Sequence, residues 1–304
     1  MNTLADGLSW IDLHFMGRPH AIATAVLQGP GAVALVDPGP TTCLDALENG
    51  LQAQGVALAD VTEILVTHIH LDHAGATGTI LARHPRIRVL VHQRGAPHLI
   101  DPSRLLDSAS RLYRDQMDRL WGEVAPVPAG QVVALEGGER LRAGGRELDV
   151  LYTPGHAVHH VCFRDRDSGV AFVGDTAGVA VDGGYLLPPT PPPDIDIEAW
   201  HASLHLLEQW GASALFLTHF ATAPSVVPHL RTLAEHLDAF ASEARRALEG
   251  EASDEDRAHR FAAGVRLLLQ REMPASQVAA YEAAAPFELL WLGLARYWRK
   301  RTRA

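Results

Sequence analysis

The 304-residue sequence predicts a layered α/β or α+β protein whose C-terminal end is helical throughout. Three observations carry this. Short apolar, β-branched runs bounded by glycine and proline recur from Ala21 to Thr218, and segments with helical spacing lie between them. After Pro224 the strand signals stop while the helical spacing continues.

Ala21–Leu27 and Ala32–Val36 read as a hairpin around the turn Gln28-Gly29-Pro30-Gly31, and Asp37-Pro38-Gly39-Pro40 ends the second strand. A helix over Cys43–Gln54 stops at Gly55. Glu63–Thr67 is a short strand that runs straight into His68, followed by a helix at Ala74–Arg83 and a strand at Arg88–Val91. In Pro102–Trp121, Leu105, Leu106, Leu112, Tyr113, Met117 and Leu120 recur at helical spacing, which predicts a helix that buries one face or walls a pocket. Val132–Val173 is strand-like, broken by Gly137-Gly138 and Gly144-Gly145.

Leu187–Asp194 holds five prolines and must be an extended, rigid connection. A helix at Ile197–Trp210 then precedes the strand Ala214–Thr218, which delivers His219. Leu230–Leu248, Asp254–Arg271 and Ala275–Arg299 read as helices, the last two divided by Pro274. Within the last, Pro286–Trp298 is too apolar to face water. The expected organisation is a catalytic domain over residues 1–222 and a helical region over 223–304 packed on it.

Apolar residues make up 47% and charged residues 20%, which fits a globular enzyme and excludes a disordered chain or coiled coil. The net charge of −10 argues against a nucleic-acid-gripping surface. Cys43 and Cys162 are too few for a disulfide framework. The N-terminal residues lack the basic-then-apolar pattern of a secretory signal, and no run approaches the roughly 20 apolar residues of a membrane span. A cytoplasmic enzyme acting on a small molecule is expected, with neither nucleic acid nor membrane as partner; the apolar last helix leaves a homodimer open.

Chemistry concentrates in Thr67-His68-Ile69-His70-Leu71-Asp72-His73, where His68, His70, Asp72 and His73 fall within six residues between a strand and a helix. Imidazole and carboxylate together suit zinc and related divalent ions. Three more strand exits carry the same residue types: His156 after Leu148–Leu151, Asp175 after Val170–Val173, and His219 after Leu215–Thr218. Taken singly, His156 and His219 read as hydrogen-bonded structural histidines and Asp175 as a helix cap. Four such exits in one chain make a site.

The run His68-x-His70-x-Asp72-His73 with the later His156, Asp175 and His219 resembles the metallo-β-lactamase superfamily over about residues 10–222. The resemblance implies an α+β fold, a four-layer αββα sandwich with the metal site at one edge of two sheets. It implies that His68, His70 and His156 hold a first metal, that Asp72, His73 and His219 hold a second, and that Asp175 bridges both. Asp37 and His160 match positions that support the ligands from behind. The implied cofactors are two divalent ions per chain, zinc first, with iron or manganese as alternatives. The implied reaction is attack by a metal-bridging hydroxide on an ester, thioester, lactone or phosphoester, with Asp72 as the catalytic carboxylate that orients it or shuttles its proton.

Within the superfamily, the retained Asp175 points away from β-lactam hydrolysis. Gly178 stands where acyl-homoserine lactonases carry a tyrosine, with Tyr185 as a substitute. The helical end resembles glyoxalase II in outline only. Tyr113, Trp121 and Tyr185 are the expected substrate contacts. The alternative is a persulfide-dioxygenase-like enzyme with one iron, which would leave His73 and His219 idle.

Overall fold

Strands that are apolar on both faces must be covered on both faces, and here that dictates four layers. The structure is a computed structural model describing residues 2–249 and 251–302. β1 (Asn2–Ala5), β2 (Leu8–Asp12), β3 (Ala23–Gly29), β4 (Ala32–Val36), β5 (Val61–Leu65), β6 (Arg88–His92) and β7 (Val132–Leu135) form a 7-stranded sheet in chain order. It is antiparallel from β1 to β4 and parallel from β4 to β7, with helices at each parallel crossover. β8 (Arg140–Ala143), β9 (Arg146–Tyr152), β10 (Val161–Asp165), β11 (Val170–Phe172), β12 (Ala214–Leu217) and β13 (Ala221–Ala223) form a 6-stranded sheet. Only β11 and β12 run parallel in it, joined across the helix Ile197–Gln209.

The period of two sorts the side chains. Ala25, Leu27, Val36 and Leu65 of the first sheet meet Val150, Phe163, Phe172 and Phe216 of the second. Their neighbours Val26, Leu35, Ile64 and Val66 turn outward onto Leu47, Leu51 and Ile80 of the first helical layer. Cys162, Val173, Leu215 and Leu217 turn outward onto Trp200, Leu204 and the C-terminal helices. The order helix, sheet, sheet, helix is the expected αββα sandwich.

The C-terminal helices Val226–Ala247, Asp254–Gln270, Ala275–Ala284 and Phe287–Arg301 share that last apolar layer. Phe287, Trp291 and Leu294 are completely buried in it. No single helix among the described residues is long and apolar enough to cross a membrane. Only the last two taken together, bent by 47°, reach the length and composition of a span.

The structure differs from the sequence expectations in three places. The hairpin β1–β2 precedes the first expected strand; it is short and half polar, and its Asp6-Gly7 turn, with Gly7 at φ 68°, was the available signal. The expected helix Pro102–Trp121 stops at Tyr113, and the helical run breaks at Arg114, φ 49°, before a short turn of helix at Met117–Leu120. A continuous helix would separate Tyr113 and Trp121 by about 12 Å of rise, whereas their rings sit edge to face at 5.0 Å. Ring packing wins over helical propensity there. The expected helix Ala275–Arg299 divides at Ala285-Pro286, because a proline ring crowds the preceding turn and donates no hydrogen bond.

Candidate metal centre

All the expected ligands leave the same end of the two sheets. His68 follows β5, His70 opens the short helix Leu71–Ala74 that carries Asp72 and His73, His156 follows β9, Asp175 follows β11, and His219 follows β12. Gly174 makes the turn before Asp175 feasible. It sits at φ 46°, and a Cβ there would fall 2.5 Å from Thr67 Oγ1 and 2.7 Å from His160 Nε2.

Seven side chains that could ligate a metal converge in two groups. In the first, Nε2 of His68 and Nε2 of His156 lie 2.9 and 3.0 Å from Nδ1 of His70. Asp175 Oδ2 is 4.0 Å from His68 Nε2 and 3.4 Å from His156 Nε2. In the second, Nε2 of His73 and His219 are 3.2 Å apart, with Asp72 Oδ2 at 3.7 Å from the former and 3.2 Å from the latter. Asp175 Oδ1 completes it, 3.1 Å from His73 and 3.5 Å from His219. One carboxylate thus gives one oxygen to each group.

The hydrogen bonds behind the rings decide which nitrogen faces inward. His156 Nδ1–H donates to the Pro189 carbonyl at 2.8 Å and His219 Nδ1–H to the Ala21 carbonyl at 2.7 Å. His73 Nδ1–H donates to Asp37 Oδ2 at 2.8 Å. Thr67 spends its own proton on Asp37 Oδ2, so its hydroxyl oxygen accepts from His68 Nδ1–H at 3.1 Å. Each of these rings therefore aims an Nε2 lone pair at the centre.

Lone pairs a few ångström apart repel unless a cation lies between them. In a tetrahedral site with metal–nitrogen bonds of about 2.0–2.1 Å, ligand atoms sit about 3.3 Å from one another. The spacings here bracket that value, and the buried Asp175 Oδ1 has no hydrogen-bond donor. The donor set fits two divalent ions.

Electrostatics agree for the first group. Burial drives His68 well below the ordinary imidazole range, with His73, His70 and His156 adding to it. Burial likewise takes His156 down to about 4. Both are neutral, as ligands must be. Burial also opposes charge on His73 and His219, but the Asp175 and Asp72 carboxylates outweigh it and raise both. Burial alone would raise Asp175, yet the imidazoles of His73, His219 and His156 hold it well below the carboxylate range. In the second group the ionised Asp72 and Asp175 draw protons onto His73 and His219, and a bound cation would take the place of those protons.

Asp37 is completely buried behind the second group. It accepts hydrogen bonds from the Thr67 backbone at 2.8 Å, Thr67 Oγ1 at 2.7 Å, His73 at 2.8 Å and Thr218 Oγ1 at 3.0 Å. Asp37→Ala strands four donors in a dry interior, at about 1–3 kcal/mol for each one left unmet. The variant should lose at least about 4 kcal/mol of stability in chemical denaturation, and bind the second ion weakly in elemental analysis.

His160 sits behind His68, its ring centroid 5.0 Å away, with Nδ1 between Thr153 Oγ1 and Thr176 Oγ1 at 2.8 and 3.0 Å. Sequence reasoning missed Thr67 and Thr218, although Thr-His at two separate strand exits was a visible signal. It also missed Trp200, whose ring lies edge-on to His156 at 5.5 Å while its indole N–H donates to the Thr176 carbonyl at 2.8 Å. Nothing local in the sequence marks that contact.

A cavity of about 90 Å³ opens above His70, Asp72 and Asp175. Tyr113 and Trp121 line it, with Trp121 stacked on Phe15 at 5.6 Å. Tyr185 does not. The bridge Val179–Leu187 folds its segment outward, and Tyr185 stacks on His236 at 4.2 Å against the helix Val226–Ala247. The expectation that Tyr185 contacts substrate is corrected on that ground. The remaining wall comes from the proline run and from Ala284–Leu290, segments that local sequence patterns do not connect to the site.

The fold and this set of candidate ligands define an αββα sandwich of metal-binding type, and comparison with known proteins agrees. The family profile of the metallo-beta-lactamase superfamily matches residues 17–219. The chain belongs to the metallo-beta-lactamase superfamily. A metallo-beta-lactamase fold-containing protein of Sulfurisphaera tokodaii is 30% identical over 167 residues, 54% of this chain and 62% of that one. A thioesterase of Emericella nidulans is 27% identical over 210 residues, 66% of this chain and 48% of the relative. A hydroxyacylglutathione hydrolase of Synechococcus is 33% identical over 118 residues, 39% and 35% respectively. The chain thus spans less than two thirds of each of these relatives. A metallo-beta-lactamase family protein from Thermus thermophilus shares the fold with a TM-score of 0.74 at 24% identity, over 99% of this chain and 95% of that one.

Proposed function

We propose that the chain is a dinuclear metal-dependent hydrolase that cleaves an ester, thioester, lactone or phosphoester of a small molecule, with zinc as the first choice of metal. One observation carries the reading: the two oxygens of Asp175 serve two separate, complete ligand groups at the floor of a cavity. The names of the thioesterase and hydroxyacylglutathione hydrolase relatives support hydrolysis. The one-iron dioxygenase reading leaves His73 and His219 without work, although with Asp72 they converge as closely as the first group. No lysine or arginine among the described residues lines the cavity, which favours a small molecule over nucleic acid.

Two divalent ions bound there supply Lewis acidity and a water acidic enough to ionise near neutral pH. The chain supplies the rest. His68, His70 and His156 hold one side, Asp72, His73 and His219 the other, and Asp175 ties them together. Asp72 is the ligand carboxylate placed to take a proton on the cavity side and return it to the leaving group. Burial raises the Tyr113 hydroxyl, and the charges of Asp72 and Asp175 add to the effect. Tyr113 therefore stays protonated and able to donate a hydrogen bond into the cavity.

Elemental analysis of the purified protein should find two ions per chain, and a panel of esters, thioesters, lactones, phosphodiesters and β-lactams should identify the bond cleaved. Tyr113→Ala and Trp121→Ala should reorder the substrates while leaving the metal content unchanged; loss of metal or of folded protein would assign both residues to the core. A single iron, with activity that survives His219→Ala, would establish the dioxygenase reading instead.

A further inference from the structure

Resting on the hydrolase reading above, we infer that the substrate seats a short, uncharged aliphatic acyl group in the cavity, and that the C-terminal helices set its length. The cavity is chemically divided. At its floor are His70, Asp72 and Asp175, and Ser108 is the only other polar residue lining it, among the described residues, apart from the Tyr113 hydroxyl and the Trp121 indole. The walls are Leu105, Ala109 and Leu112 from one side, the prolines of 189–193 from another, and Ala284, Leu289 and Leu290 from the third. Away from that floor the walls hold no lysine or arginine, so an anionic group carried at the far end of the chain has no partner there and would be desolvated without compensation.

The same argument assigns which half of the substrate goes in. A departing alkoxide or thiolate is polar and must reach water, whereas an alkyl chain gains from leaving it. The acyl chain therefore occupies the cavity and the leaving group points to solvent. In the reaction, the oxygen of water bonds to the acyl carbon and the acyl–oxygen or acyl–sulfur bond breaks. The leaving group departs with a proton, and the carboxylic acid formed releases another.

Size follows from volume. An apolar protein cavity of about 150 Å³ takes one benzene, and this one, open to solvent on one side, offers about 90 Å³. Scaled on that, about four carbons fit. The limit is set far along the chain. Leu290 and the proline run are locked together by Thr190, whose hydroxyl donates to the Leu290 carbonyl at 3.0 Å. Gly293 lies tight against the same segment, where a Cβ would come 2.0 Å from the Thr190 carbonyl oxygen. This wall cannot retreat to admit a longer chain without separating two packed backbones.

The test is kcat/KM of the two-metal protein on 4-nitrophenyl esters from acetyl to decanoyl, with the succinyl ester alongside. Each methylene from acetyl to butanoyl should raise kcat/KM by about fourfold, and the profile should turn down beyond butanoyl. The succinyl ester should fall at least tenfold below butanoyl. Ala284→Leu fills the far wall and should lower butanoyl turnover while sparing acetyl. Leu112→Ala, on the opposite wall, should shift the optimum to longer chains, so the inference does not hang on one variant folding. A flat chain-length profile, a preference for succinyl, or an equal loss of acetyl and butanoyl turnover in Ala284→Leu overturns this inference and leaves the hydrolase reading standing. Failure of the two-metal protein to hydrolyse any acyl compound overturns this inference, and failure on phosphoesters as well overturns both.

Discussion

Asp175→Ala should bind close to one metal ion per chain instead of two, and its hydrolytic rate should fall by orders of magnitude. Two divalent cations a few ångström apart repel by on the order of 10 kcal/mol even at an effective dielectric near 20. The carboxylate between them offsets that repulsion, and Asp175 is the one side chain among the described residues whose oxygens reach both groups. Without it the first group keeps its three imidazoles, with His68 and His156 each within 3.0 Å of His70. The second keeps Asp72, His73 and His219 but loses its tie to its neighbour, so the second ion should leave first. His219→Ala should behave similarly, while His68→Ala should disturb the first ion directly. Elemental analysis of each purified variant, together with its rate on the best substrate, checks this. Two ions and an undiminished rate in Asp175→Ala would refute the bridging role.

Removing the chain after Pro224 should give an insoluble or inactive protein. The outward residues Val173, Leu215, Leu217 and Trp200 pack in one apolar layer with Phe240, Phe261, Phe287 and Trp291. Burying one large apolar side chain contributes about 1.5–3 kcal/mol, and the truncation removes many of them while exposing their partners. The truncation also deletes the cavity wall at Ala284–Leu290 and the partner that Thr190 finds in Leu290. Expression, sedimentation and metal content of the product over residues 1–224 measure the effect. A soluble product with full activity would show the helices to be dispensable.

The ligand set was legible in the sequence because its signal is local. A strand exit points side chains in a direction that the following turn fixes, and His or Asp at four such exits needs no knowledge of distant pairing. A layered arrangement was legible from the alternation of strand and helix signals, while its four-layer order came only with the family resemblance that the ligand motif carries. Tertiary structure alone decided the rest. The break at Arg114 carries no glycine or proline to announce it, and it goes with the contact of the Tyr113 and Trp121 rings at 5.0 Å. Asp37 acts through donors at Thr67, His73 and Thr218, as far as 181 residues away, which no spacing rule connects. Tyr185, a plausible contact by sequence proximity to Asp175, is carried outward by one β-bridge. The cavity joins a helix near residue 110, a proline run near 190 and a helix boundary near 285. Side-chain chemistry is written residue by residue, whereas the shape of a cavity depends on which distant segments pack together.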